Sequence, residues 1–196
     1  MAYQWDVFLS YPRTPYVEPW LDNHFFPLLR DHLDALLPDE PRIFLDRAQP
    51  VGVVWPDNIK TALKHSRIMV AVWTPPYFRS HWCIAEWESM LAREQRYARP
   101  GTGNQSSLVY PIKYSDGQNF DERAQAIQVK DLSNFGYPLP NFREAIAYID
   151  FYNAVRDVAE DIQARLAAAP EWEPDFPLID VEPIVQKGPR VRLPRI

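Results

Sequence analysis

The sequence predicts an α/β fold, in which a doubly wound, five-stranded parallel sheet carries helices on both faces. Stretches of strand length alternate with apolar residues at helical spacing, an order typical of parallel sheets with right-handed crossovers. Residues 67–73 (RIMVAVW) are almost wholly apolar, as in a central strand that helices cover on both sides. The length of 196 residues and the apolar fraction of 46% suit one packed domain.

Five apolar runs predict the strands. The first, residues 5–10 (WDVFLS), is expected to be central, and it ends before Pro12, which has no amide hydrogen for a sheet. Because such sheets place their sites beyond the carboxyl ends of the strands, the loops after Ser10, Asp46 and Trp73 are the candidate regions. In chain order the predicted strands are residues 5–10, 42–46, 67–73, 108–114 and a weaker edge strand, 127–132.

Apolar residues spaced three and four apart predict four helices. Ser80 is the expected N-cap of the third helix, and Pro75 with Pro76 is expected to end the strand before it. Residues 116–126 are expected to form a loop with at most one helical turn. The predicted helices are residues 17–37, 58–65, 80–97 and 142–168. The last has an expected core-facing stripe of Ile149, Tyr152, Val155, Ala159, Ile162 and Leu166.

A change in composition after Ala169 predicts a domain over residues 1–169 and a tail over residues 170–196. Six prolines exclude a helix from the tail and favour an extended strap. Its apolar residues, among them Phe176 and Leu178, are too frequent for a simple linker. We therefore expect the tail to dock on the domain or on a partner.

Charge and composition argue against several classes of function. The net charge of -5 gives no basic excess to attract nucleic acid, and the 6 glycines form no glycine-rich phosphate-binding motif. Cys83 is the only cysteine, which excludes an internal disulfide, and His65 and His81 lack partners at metal-ligand spacing. The longest strongly apolar run is six residues, and the amino end lacks a signal-peptide pattern. We expect a cytoplasmic protein with no metal, membrane or direct nucleic-acid partner.

Trp82 and Glu86 are the residues best suited to chemistry. They are four apart on the predicted third helix, so an indole and a carboxylate share one helix face just after the third strand. The indole can stack on a flat cationic heterocycle, and the carboxylate can accept from sugar hydroxyls and stabilise positive charge at an anomeric carbon. Taken alone, the pair is more simply explained as a core tryptophan followed by a solvated glutamate.

The order of the motifs around this pair resembles the Toll/interleukin-1 receptor (TIR) domain, whose fold is flavodoxin-like. WDVFLSY lies at the start, RIFLD follows one helix later, and a loop with Gly52 and Trp55 comes next. SRIMVAVWTPPYFRSHWCIAEW then spans residues 66–87. These segments are similar to the first strand, second strand, BB loop, third strand and following helix of that family. The resemblance covers about residues 3–166.

The resemblance implies that Glu86 is catalytic and that NAD+ is the substrate, with no cofactor and no metal. Enzymatic TIR domains cleave the bond between nicotinamide and ribose, and Glu86 occupies the position of their essential glutamate. Arg13 matches a residue suited to neutralise the diphosphate, and residues 46–55 match the mobile BB loop. The substrate-binding residues implied by the match are Ser10, Tyr11, Arg13, Asp46, Arg47, Trp55 and Trp82.

Two functions follow from the resemblance. The first is an NAD+ glycohydrolase or ADP-ribosyl cyclase that is active on self-association, similar to bacterial TIR enzymes of anti-phage defence, with an activating or effector protein as a further partner. The alternative is a non-catalytic TIR scaffold that acts through TIR–TIR contacts; Glu86 argues against it, because many adaptor members lack this carboxylate. A phosphoacceptor receiver domain is set aside, because Ser10 and Tyr11 stand where an acidic pair is needed.

Overall fold

The computed structural model of the protein describes residues 2–45, 57–97, 107–115, 117–118 and 120–180. Its strands are β1 Trp5–Ser10, β2 Ile43–Leu45, β3 Ser66–Trp73, β4 Val109–Lys113 and β5 Lys130–Asp131. They form one parallel sheet in the order β2-β1-β3-β4-β5. The chain leaves β1 in one direction to β2 and returns past it to β3, which makes the gap between β1 and β3 the switch point of the sheet. The predicted fold class is confirmed.

The helices cover the sheet in two layers. α1, α2 and α7 pack on one face, and α3, α4 and α5 pack on the other. Successive residues of β1 alternate between these layers, with Val7 and Leu9 in the first core and Phe8 in the second. None of the described helices has the length and apolar character needed to span a membrane. The helices are α1 Val17–Trp20, α2 Phe26–Leu36, α3 Asp57–Lys64, α4 Pro75–Arg79, α5 His81–Tyr97, α6 Glu122–Gln125 and α7 Ala147–Ala168.

The first four strands agree with the prediction to within one residue over the described part of the chain. β5 is shorter than the predicted strand over residues 127–132. The amide of Ile127 donates to the carbonyl of Ala124 at 3.1 Å and so closes the turn after α6. Only Lys130 and Asp131 therefore remain to pair with β4.

The predicted helix over residues 17–37 is present, but a π-helical turn, Leu21–Phe25, joins α1 to α2. Pro27 accounts for this interruption, because it has no amide hydrogen to donate to the carbonyl of Asn23 four residues earlier. That carbonyl accepts from the guanidinium of Arg143 instead. The turn thus ties the first helical layer to the segment that precedes α7.

The short helix α4 was not predicted, because Pro75 and Pro76 were expected only to end β3. Both prolines instead occupy the first turn of α4, where a missing amide hydrogen costs nothing. Thr74 caps the helix by accepting from the amide of Tyr77 at 3.3 Å. The cap turns the chain back over the sheet, and it brings the Tyr77 side chain under the end of β1.

Helix α7 begins at Ala147, five residues after the predicted start, because a 3₁₀ helix, Pro140–Glu144, comes first. The expected core positions Ile149 and Tyr152 were wrong, since these side chains are 64% and 44% exposed. Phe151 is buried in their place, one and two turns before Val155 and Val158 on the same helix face. The face of α7 that carries Phe151, Val155 and Val158 is therefore the one that meets the sheet.

Residues 170–180 run along α3 and α5 without forming a helix or a strand. The ring of Trp172 stacks on His65 at a centroid distance of 4.8 Å, and the Arg93 guanidinium lies 4.0 Å from the centroid of the Phe176 ring. The amide of Ile179 donates to Ser89 Oγ at 2.8 Å. This segment, termed the strap below, is joined to both helices; residues 181–196 lie outside the described part of the chain.

Candidate functional site

Ser10 and Glu86 meet at the carboxyl edge of the sheet. Ser10 is the last residue of β1, and Glu86 lies in the second turn of α5. The Ser10 hydroxyl donates to Glu86 Oε2 at 2.6 Å, which is the short distance expected for a hydroxyl bonded to a carboxylate. The two residues are 76 positions apart in sequence, so the sheet and its crossovers bring them together.

Glu86 lies on the buried stripe of α5. Ser80 caps this helix as predicted, accepting from the amide of Cys83 at 3.4 Å. Cys83, Glu86, Trp87 and Met90 then recur at spacings of three and four, and all are buried. Glu86 is only 8% exposed. A solvated glutamate, the simpler explanation for this residue, does not fit its position.

Tyr77 completes the polar cluster, and sequence reasoning missed it. Its hydroxyl lies 3.0 Å from Ser10 Oγ, and its ring is fully buried. Burial, with smaller effects of Cys83 and Glu86, raises the pKa of this phenol, so it stays protonated at neutral pH. The signal that could have found it is the threonine and two prolines just before it, which are typical of a helix start.

Cys83 lies one turn before Glu86 on the buried stripe, and it is itself buried. Burial, and then the nearby Glu86 carboxylate, raise the pKa of its thiol well above the usual range. The thiol is therefore neutral and unreactive. The interpretation of Cys83 as a small apolar side chain is confirmed.

The other predicted substrate-binding residues differ in their burial and in whether the structure describes them. Trp82 is partly buried against the core between the sheet and helices α3 and α5, and its ring centroid lies 4.9 Å from that of His81. Tyr11 packs against the core of the opposite face, and Arg13 is exposed just beyond it. Asp46, Arg47 and Trp55 lie outside the described residues. The structure thus brings Ser10 to Glu86 and leaves the BB-loop predictions open.

A separate open groove of about 560 Å³ lies beside α4. Phe78, Arg79, Phe120 and Asp121 contribute to its walls, but neither Ser10 nor Glu86 does. Among the residues that the structure describes, no group of three His, Cys, Asp or Glu side chains is placed to hold a metal ion. The chemistry available at the Glu86 cluster is that of a carboxylate, which accepts hydrogen bonds and stabilises nearby positive charge.

The strand order β2-β1-β3-β4-β5 of the parallel sheet, with helices on both faces, defines an α/β protein of the flavodoxin-like class. The buried Glu86 carboxylate lies at the switch point of this sheet. A family model described as the TIR domain matches residues 7–167. The chain belongs to the TIR-domain family, as its motifs predicted. No curated protein matches the chain.

Two solved structures illustrate what the chain is similar to. The TIR domain of the Toll-related receptor TRR-2 from Hydra magnipapillata is 17% identical, with a TM-score of 0.47, and the match covers 78% of this chain and 99% of that one. The TIR domains of the activated Roq1 resistosome, which directly recognizes the pathogen effector XopQ, are 21% identical, with a TM-score of 0.40. That match covers 80% of this chain and 84% of the other.

Proposed function

We propose that the chain is an NAD+ nucleosidase that cleaves the bond between nicotinamide and ribose, with Glu86 as the catalytic residue. The observation that supports this most directly is the Glu86 carboxylate, buried on α5 and bonded to Ser10 at 2.6 Å. A glutamate kept at the sheet's switch point, where α/β proteins bind their ligands, is better suited to chemistry than to solubility.

The proposed reaction needs little from the protein beyond charge stabilisation. Nicotinamide leaves as a neutral molecule from a cationic linkage, so no strong general acid is required. The Glu86 carboxylate accepts from the ribose hydroxyls and stabilises the positive charge that develops at the anomeric carbon. Water then attacks to give ADP-ribose, or a nucleophile of the same or another molecule attacks to give a cyclic or conjugated product. Exclusion of water from the site decides between these outcomes.

The other proposed contacts follow the chemistry of NAD+. In the proposed complex the Trp82 indole, which lies one helical turn before Glu86, stacks on the nicotinamide ring. Arg13, exposed after β1, supplies positive charge for the diphosphate. Ser10 and Tyr11, together with Asp46, Arg47 and Trp55 in the BB loop, complete the proposed substrate site.

We propose that activity depends on self-association in the cytoplasm, with an activating or effector protein controlling it. A signalling or NAD+-depleting enzyme of this kind suits an immune role, such as bacterial anti-phage defence. Neither metal nor cofactor enters the proposal, and NAD+ is the substrate.

The proposed function is tested by nicotinamide release at high protein concentration with a crowding agent. Glu86→Gln is expected to lower turnover at least a hundredfold with the fold intact, because a neutral amide cannot stabilise a developing cation. Glu88→Gln is the matched control, since Glu88 lies two residues later on α5 and forms a surface ion pair with Arg123. Equal turnover by Glu86→Gln and wild type would refute the proposal.

The second candidate is a non-catalytic TIR scaffold. It is favoured by the apolar surface at the start of α7, where Ile146 is 87% exposed and Ile149 lies one turn further along the same side. This candidate predicts that wild type self-associates in sedimentation experiments without any nicotinamide release. It also predicts that Ile146→Asp disrupts the association, whereas Glu86→Gln leaves it unchanged.

A further inference from the structure

We infer that Tyr77 is a positioning residue for the Glu86 carboxylate and acts through Ser10, an inference that rests on the proposed NAD+ cleavage. The Tyr77 hydroxyl lies 3.0 Å from Ser10 Oγ, and Ser10 Oγ lies 2.6 Å from Glu86 Oε2. The three groups thus form a hydrogen-bonded chain from α4, through the end of β1, to α5.

The direction of this chain follows from the number of hydrogens. A serine hydroxyl has one hydrogen, and Ser10 donates it to the carboxylate. The bond between Tyr77 and Ser10 must therefore use the phenol hydrogen, with Tyr77 as donor. The raised pKa of the buried phenol is consistent with this assignment, because it keeps that hydrogen in place at neutral pH.

The ring of Tyr77 is held firmly, which fixes the position of its hydroxyl oxygen beside Ser10. Its backbone amide is bonded to the Thr74 cap at 3.3 Å, and its ring packs edge-on against Phe78 at 5.4 Å. The whole side chain is excluded from solvent. A fixed donor behind Ser10 fixes the serine rotamer, and a fixed serine rotamer selects one orientation of the carboxylate.

Donation from Tyr77 also polarises the Ser10 hydroxyl, because hydrogen bonds in a chain strengthen one another in a buried environment. Tyr77 therefore bears on how Glu86 is presented to substrate without touching substrate itself. Its loss is expected to affect the transition state more than substrate binding, since charge develops at the anomeric carbon only during the reaction.

The test measures kcat and KM for nicotinamide release by the full chain in four variants. Tyr77→Phe keeps the ring and removes the hydroxyl; we expect kcat to fall about three- to tenfold, the value of one hydrogen bond, with KM within about twofold. Ser10→Ala is expected to lower kcat further. In the double variant, Tyr77→Phe should cause no additional loss, because its path through Ser10 is already broken.

Tyr110→Phe is the matched control. Its phenol is also buried and donates to the carboxylate of Asp161 at 2.7 Å. It lies near the amino end of β4, whereas the Glu86 cluster lies at the carboxyl ends of the strands. We expect Tyr110→Phe to change the melting temperature about as much as Tyr77→Phe does, but to leave kcat unchanged. If Tyr77→Phe melts below the assay temperature, kcat of all four variants and of wild type is measured at a lower temperature, at which Tyr77→Phe is folded.

The possible results separate this inference from the proposed function. Wild-type kcat in Tyr77→Phe, or in Ser10→Ala, overturns the inference while inactivity of Glu86→Gln still supports NAD+ cleavage by Glu86. A full additional loss from Tyr77→Phe in the Ser10→Ala background also overturns it, because Tyr77 would then act by another route. No nicotinamide release by wild type, or full activity of Glu86→Gln, overturns the proposed function and the inference with it.

Discussion

Replacing Arg93 by methionine is expected to destabilise the fold although it removes a charge from the interior. Arg93 lies on α5, is fully buried, and donates from its two terminal nitrogens to the carbonyls of Ser66 at 2.7 Å and Leu63 at 3.0 Å. Its guanidinium also lies 4.0 Å from the centroid of the Phe176 ring. The side chain thus joins α5 to the end of α3, the start of β3 and the strap.

The magnitude follows from three opposing effects. Methionine leaves two buried carbonyls without this donor, which costs about 1–3 kcal/mol each, and removes a cation–π contact of about 1 kcal/mol. Against this, burial lowers the pKa of Arg93 from 12.5 to about 10, so relief of the desolvated charge returns about 3 kcal/mol. The net loss in the free energy of unfolding is about 2 kcal/mol, or roughly 4–8 °C in Tm for a chain of this size.

Thermal unfolding followed by circular dichroism measures this change. Arg96→Met is the matched control, since Arg96 lies one turn further along α5 and makes surface ion pairs with Glu173 and Asp175. Exposed pairs contribute little, so its Tm should move by less than about 2 °C. A Tm of Arg93→Met equal to that of wild type would refute the reasoning, as would an equal loss in both variants.

Two further predictions concern stability. Burial lowers the pKa of His24, whose Nε2 bonds to the Leu139 carbonyl. Because the unfolded chain then binds the proton more readily than the folded chain, stability should fall as pH drops through about 6.5. His24→Gln should therefore reduce the difference in Tm between pH 8 and pH 5.5. An unchanged difference would contradict this. Phe176→Ala should lower the free energy of unfolding by about 2 kcal/mol, because Phe176 is only 3% exposed. Deletion of residues 170–196 removes the same buried ring and should lower the free energy of unfolding by at least as much. Exposed Tyr137→Ala is the control, and equal Tm values for Phe176→Ala and wild type would show that the strap contributes nothing.

Burial changes how the pair of Trp82 and Glu86 is interpreted. In sequence the pair taken alone is more simply explained as a core tryptophan followed by a solvated glutamate. In the structure Glu86 is the more buried of the two, with Trp82 partly exposed. A buried carboxylate bonded to a serine at the switch point is the observation on which the proposed function rests.

The sequence by itself determined the fold class, the first four strands and the cap of α5. These features depend on local geometry: side chains alternate along a strand and return every three to four residues on a helix, so an apolar pattern reports them directly. The motif order also identified the family and singled out Glu86 and Ser10, which do meet.

Only the tertiary structure decided which side chains meet and which face of a helix is buried. Tyr77 bonds to Ser10, which lies 67 positions earlier in the sequence. The helix that carries Tyr77 was not predicted because it begins with two prolines, and no local pattern indicates a contact between residues so far apart in the chain. Phe151 displaced Ile149 and Tyr152 from the core because a sheet accepts one face of α7, and the choice between similar apolar stripes depends on the shape of the facing surface. Apolar periodicity reflects residues that are close in the chain, whereas the site consists of side chains that are far apart in the chain and are brought together only by folding.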